Sequence, residues 1–158
     1  MKGKKEKKIK ITPIEHGTVI DHIKAGQGMK VLRILDLVDT DIDSIVSMAM
    51  NVKSSKGKKD IVKVEDKELK NEEFDKISLI SPNATVNIIR GYEVIEKHRV
   101  EIPDLARGIV RCKNRNCITN QREPVESEFE VIDEEPVRLK CTFCERELVG
   151  EEISEHVI

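Results

Sequence analysis

Aromatic side chains make up only 3% of this 158-residue sequence: no tryptophan, one tyrosine and three phenylalanines. Proteins that hold single-stranded nucleic acid stack bases on such rings, so few stacking surfaces are available here. The chain also lacks an excess of positive charge. Its 28 basic and 30 acidic residues leave a net charge of −2, without the field that a general nucleic-acid binder uses. No nucleic-acid partner is therefore expected. No apolar run approaches the roughly 20 residues of a membrane span, and the opening Met1-Lys-Gly-Lys-Lys-Glu-Lys-Lys8 is too charged for a secretory h-region. These absences predict a cytoplasmic protein with no membrane partner. Neither Gly-x-x-x-x-Gly-Lys-Ser/Thr nor Gly-x-Gly-x-x-Gly occurs, which excludes a hydrolysing P-loop and a dinucleotide fold. No serine, cysteine or carboxylate pair presents itself as a nucleophile or acid/base set, so an enzyme is not expected.

What the sequence does have is charge, 37% of residues, against roughly 25% in an average globular protein. It also has two segments of different grammar. From about Ile9 to Glu101, strand-like and helix-like stretches alternate. Gly17-Thr-Val-Ile-Asp-His-Ile23 is a β-branched run, and the stretch from Ala25 to Leu35 has apolar residues near helical spacing. Val46, Met48, Met50 and Val52 alternate with smaller polar residues, and residues 60–65 form a second alternating run, with 54–59 between them as a hairpin loop. Asn71 starts a helix with acids in its first turn and Phe74, Ile77 and Ile80 on one face, stopped before Pro82. Residues 85–90 and 92–97, joined at Gly91, complete the segment. The order β-α-β-β-α-β plus a final strand predicts an α+β fold: a ferredoxin-like antiparallel sheet with two helices on one face. Glu101-Ile-Pro-Asp104 breaks the pattern and sets an expected boundary, giving units of residues 1–103 and 104–158.

All four cysteines lie beyond that boundary. Cys112 and Cys117 enclose four residues, Cys141 and Cys144 enclose two, and 23 residues separate the pairs. Two short-spaced pairs brought together by strands can set four thiolates around one Zn²⁺. Lys113, Arg115, Lys140 and Arg146 would help keep those thiolates ionised. A Cys141-Thr-Phe-Cys144 redox pair and an iron–sulfur cluster are the alternatives. About fifty residues with short strands at 128–132 and 137–140, Phe129 and Phe143 cannot build a large core, so a small all-β domain is expected to lean on its metal. Four protein ligands leave no open coordination position, which predicts a structural ion, one per chain. A zinc ribbon that binds nucleic acid through Lys113, Arg115, Arg122 and the lysine tail remains the alternative function.

In the first unit, Asp21 and His22, Lys59 and Lys63, and Lys97, His98 and Arg99 sit at strand positions. First and third strands are central neighbours in this topology and the last strand can flank them, so Lys63 and Lys97 are expected to approach Asp21 and His22. Lysines there suit phosphates and a carboxylate suits ribose hydroxyls.

These residues carry a family resemblance. Gly17-Thr-Val-Ile-Asp-His-Ile23, Lys59-Asp-Ile-Val-Lys63, Ala84-Thr-Val-Asn87, Tyr92-Glu-Val94 with Lys97 and Arg99, Asn116-Cys-Ile118, Glu123-Pro-Val125 and Leu139-Lys-Cys-Thr-Phe-Cys-Glu145 run in order along nearly the whole chain. The chain resembles the regulatory subunits of aspartate carbamoyltransferase. The resemblance implies a non-catalytic subunit whose N-terminal domain binds CTP, UTP or ATP and whose zinc domain docks on the catalytic chain, controlling the first committed step of pyrimidine biosynthesis. It implies that Lys97 contacts the triphosphate with Lys8 and His22 nearby, and that Asp21, Lys63 and Val94 contact ribose. Backbone groups around Ile11, Thr12, Ile14 and Tyr92 would read the base, with Asn87 and Ile89 lining the pocket. It further implies regulatory homodimers that bridge catalytic trimers.

Overall fold

The computed structural model of the chain describes residues 13–38, 43–122 and 125–158. Its first sheet has five antiparallel strands in the order β2-β3-β1-β4-β5, built from β1 (His16–Lys24), β2 (Val46–Ser54), β3 (Gly57–Glu65), β4 (Thr85–Arg90) and β5 (Glu93–Arg99). That is the ferredoxin-like order with one strand added. Helices α1 (Gly28–Ile34) and α2 (Asn71–Ile80) cover one face. Alternation explains which face: Ile20, Val62, Val64, Val86 and Ile88 point to the helices and are at most 3% exposed. The other face, with Val19, Asp21, Lys63, Thr85 and Asn87, is only half-buried and remains open. The expected stripe on α2 is present, with Phe74, Ile77 and Ile80 packed on this core.

Several expectations are corrected in detail. The added strand β5 lies against β4, not beside β1 or β3, and is exposed over nearly its whole length. The 54–59 loop shrinks to a two-residue turn at Ser55 and Lys56, because Gly57 at φ 108° lets β3 begin at once. The first helix starts at Gly28, three residues later than the sequence pattern suggests. The N-cap position of α2 is Lys70 in place of Asn71; the Glu73 carboxylate accepts the Lys70 N–H at 3.0 Å, which supplies the cap from inside the helix.

A buried carboxylate organises the first sheet's far corner. Asp60 is 0% exposed, and its oxygens accept the backbone N–H groups of Gly26 (2.9 Å), Gly28 (2.8 Å) and Asn51 (2.9 Å). One side chain thus ties the β1–α1 turn and a bulge in β2 to β3. A matching bulge in β1 falls between Ile20 and Ile23, where His22 takes a left-handed φ of 59°. At the other end of β1, Gly17 has φ 141°, and a Cβ there would lie 2.1 Å from the Val64 carbonyl oxygen.

The second sheet, β6 (Leu105–Arg107), β7 (Glu128–Glu134), β8 (Val137–Cys141) and β9 (Glu147–Val149), is antiparallel in that order. Its outer strands are three residues long, too short for a periodic signal in sequence. Phe129 is fully buried, whereas Phe143 is 48% exposed and adds nothing to the core. The cluster around Phe129 is aliphatic apart from Cys112, Cys117 and Cys141, and it takes in Leu79 from α2. Among the described residues no helix is long and apolar enough to cross a membrane.

Replacing Asp60 by alanine would strand the buried Gly28 N–H and take the partner from the part-buried Gly26 and Asn51 N–H groups. An unsatisfied buried group costs about 1–3 kcal/mol, so Asp60→Ala is expected to lose an amount in that range in urea unfolding, and Asp60→Asn, which keeps one acceptor oxygen, distinctly less. Equal losses for the two variants would contradict this role.

Candidate metal centre and open-face hollow

The four cysteine sulfurs lie within 4.8 Å of one another. Cys112 and Cys144 are 3.5 Å apart and Cys117 and Cys141 3.7 Å. A disulfide needs about 2.05 Å, while sulfurs at about 2.3 Å from one central ion stand roughly 3.8 Å apart at tetrahedral angles. The spacing therefore fits a single ion, and none of the four cysteines is disulfide-bonded; a multi-iron cluster would hold the sulfurs farther apart.

Local turns build the cage. The Asn114 N–H donates to Cys112 Sγ at 3.4 Å, and the Asn120 amide donates to the carbonyls of Cys112 and Asn114, both at 2.8 Å. Thr119 Oγ1 donates to Cys117 Sγ at 3.2 Å. The second turn closes through the Glu145 N–H on the Cys141 carbonyl at 2.8 Å, with Glu145 at a left-handed φ of 68°. Burial pushes the Cys112 thiol well up and also raises Cys141, each opposed by nearby backbone N–H groups. Cys144 is pushed up by burial too, but the Arg146 N–H and the Asn114 side chain outweigh this and bring it down to about 7. Every sulfur thus has a donor or a sulfur neighbour, which is how a site for an all-thiolate cation is dressed. Of the cations expected to help, Lys113 instead pairs with Glu152 at 3.5 Å.

On the open face of the first sheet, antiparallel register sets side chains in rows. One row runs Lys63, Val19, Asn87, Lys97 across β3, β1, β4 and β5. The next runs Asp21, Thr85, Arg99, and the row on the other side Gly17, Ile89, Val94, helped by a bulge in β5. Over these rows lies a hollow of about 240 Å³, and its lining includes Ile14, Lys63, Asn87, Ile89, Tyr92 and Val94. Six of the residues singled out from sequence are therefore together. Lys97 is next in the row beyond Asn87, and Asp21 is one row along, beside His22, whose Nδ1 is 3.1 Å from Thr85 Oγ1. Asp21 pairs with Lys59 at 3.0 Å rather than with Lys63 or Lys97, which corrects the expected convergence. Lys8, Ile11 and Thr12 lie outside the described residues.

Three features of the hollow were not read from sequence. Val19 and Pro13 also line it; Val19 could have been found, since it alternates in phase with Asp21. Tyr92 occupies a left-handed φ of 67° after Gly91 at 60°, a two-residue turn that holds the ring 67% exposed at the rim. Such backbone strain in a non-glycine residue costs about 1–3 kcal/mol and clusters at ligand sites. The Asn87 Oδ1 is buried without a hydrogen-bond partner among the described residues, an acceptor left waiting on the row of lysines. Burial lowers the Lys63 ammonium from the ordinary lysine range, against the opposing charge of Glu65.

A larger cleft of about 490 Å³ lies between the two sheets' units, but Glu134, Glu135 and Glu151 line it against Lys24 alone, a poor match for phosphate.

Comparison with known proteins bears directly on both sites. The family model "Aspartate carbamoyltransferase regulatory chain, allosteric domain" matches residues 9–101, and that family's "metal binding domain" matches residues 104–154. The aspartate carbamoyltransferase regulatory chain of Methanosarcina acetivorans is 49% identical over 157 residues, covering 98% of this chain and 99% of the relative. That of Pyrococcus abyssi is 54% identical over 146 residues (92% and 95%), and that of Methanothermobacter thermautotrophicus 52% over 154 residues (97% of both). With both parts matched in order and about half of all residues shared over almost the full length, the chain belongs to the family of aspartate carbamoyltransferase regulatory chains and is a regulatory rather than a catalytic subunit.

Proposed function

We propose that this chain senses nucleoside triphosphates in the hollow on its open sheet face and passes the state of that site to a catalytic chain docked on its metal-bearing sheet. The observation that carries the reading is the hollow itself, where residues implied by the family resemblance from four separate stretches of sequence meet. Ligand pockets usually enclose about 300–1,000 Å³, so a hollow of about 240 Å³ suits a base and ribose and leaves the phosphates outside. Backbone groups of Ile14 and Tyr92, with Ile11 and Thr12 before them, read the base; Asn87 and Ile89 form the lining. Lys63, Val94 and Asp21 hold the ribose. Lys97, at the end of the lysine row, takes the triphosphate, with His22 and Lys8 to assist.

The thiolate cage holds one Zn²⁺, a choice supported by four sulfur ligands at tetrahedral spacing and the lack of an open position. Residues 1–103 form the effector unit and 104–158 the unit that contacts the catalytic chain. Regulatory chains pair with one another and bridge catalytic trimers in a cytoplasmic assembly that controls the start of pyrimidine synthesis. Regulation is then a coupling free energy: a nucleotide that binds one arrangement of the assembly better shifts the population by that difference, typically about 1–3 kcal/mol.

Titration calorimetry of the chain with CTP, UTP and ATP, beside a zinc assay of the same sample, is expected to give saturable binding and one zinc per chain; zinc without nucleotide binding would refute the effector site. Lys97→Ala removes a charge-assisted contact worth about 1.5–3 kcal/mol, so affinity should fall roughly tenfold to a hundredfold while assembly is intact. Unchanged affinity would put the triphosphate elsewhere. Cys141→Ser opens the cage and should abolish assembly with the catalytic chain, which co-purification in full stoichiometry would contradict.

A further inference from the structure

Among the described residues, Val157 is the one side chain that packs against both apolar clusters. Its backbone is fixed on either side. The Arg111 N–H donates to the His156 carbonyl at 2.7 Å, the Ile158 N–H donates to the Ile109 carbonyl at 2.9 Å, and between them Val157 pairs with Val110 in an antiparallel bridge. Val110 is fully buried in the second cluster, and the segment it belongs to runs straight into Cys112 of the cage. The match to the family's metal binding domain ends at residue 154, so residues 156–158 of this bridge lie outside what the family model covers. Elsewhere the two units meet where helix α2, with Leu79, packs on residues 150–155, through the exposed Lys30–Glu151 pair at 3.3 Å and across the open cleft. An exposed pair of that kind holds little.

We infer that residues 156–158 are a clasp that makes the metal cage and the five-stranded sheet one cooperative unit. The order of events follows from connectivity. When the ion leaves, Cys112 is released, the 109–111 segment loses its anchor, the two-bond bridge opens and Val157 withdraws from the first core, whose apolar surface is then exposed. The linkage concerns the chain's own stability, so it does not depend on which effector fills the hollow.

The test is hydrogen exchange during thermal unfolding of the full chain, loaded with zinc and then stripped with a chelator, with amides of β1 and β4 reporting on the first sheet. In the parent, stripping should lower the melting midpoint of those strands by about 4 °C or more, the shift typical of a modest destabilisation in a unit of this size. In Val157→Ser the same strands should become insensitive to stripping, and Ile158→Pro, which deletes one of the two N–H donors and keeps the valine, should reduce the response. Lys30→Ala, which breaks the exposed ion pair, should leave it unchanged. If Val157→Ser does not fold, Val157→Ala gives the same readout. An equal chelator response in parent and Val157 variants, or none in the parent, overturns the clasp. Nucleotide titration of the same samples is a separate measurement, and its failure would touch only the effector site.

Discussion

Four thiols held within 4.8 Å are the constraint on which the metal-bearing sheet depends. Ionised together they would repel; protonated they would be small apolar groups on two loops with little else to hold them. A divalent cation resolves this by drawing the sulfurs into one shell. The turn around Asn114 is shaped for that state, since its N–H already points at Cys112 Sγ, while the Glu145 turn closes on the Cys141 carbonyl and holds that loop in place. Cys112, Cys117 and Cys141 are also members of the apolar cluster around Phe129, so the same atoms serve as ligands and as core. A sheet with two three-residue edge strands gains its rigidity from this double use.

The five-stranded sheet solves the opposite problem. It has a full aliphatic core on one face and can leave the other open. Asp60 makes that possible by taking up three N–H groups at the corner where two bulges re-aim β1 and β2, and one of those bulges turns Asp21 and His22 toward the open face. Helix α2 links the two solutions: Ile77 faces the first core while Leu79, half a turn away, enters the second. A displacement of α2 is therefore felt on both sides, and a regulatory subunit needs such an element.

Much of this was legible in sequence because the signals were local and periodic. The α2 stripe of Phe74, Ile77 and Ile80 is a three-residue repeat, and the cysteine spacing states its ligand set directly. The strand order came from counting elements. What escaped depended on pairing between distant segments. That β5 would lie beyond β4, and so set Lys97 across from Asn87, is a matter of register. Asp60 reads in sequence as one more charge in a basic hairpin, and nothing local announces the three N–H donors that converge on it. Tyr92 looks like an ordinary strand start until its positive φ is seen. The residues 156–158 resemble a fraying tail, yet they bridge two cores because of where 109–111 happens to run.

The outer strand β5 has a consequence of another kind. Among the described residues its outer edge is unpaired, and a free strand edge is a template for any passing extended chain. Along β5 the residues Glu93, Glu96, Lys97 and Arg99 alternate with few apolar groups, and the bulge at Ile95 breaks the ladder that an incoming strand would have to match. These charges deter edge-to-edge association along β5 and leave the half-buried face beside it reachable from solvent.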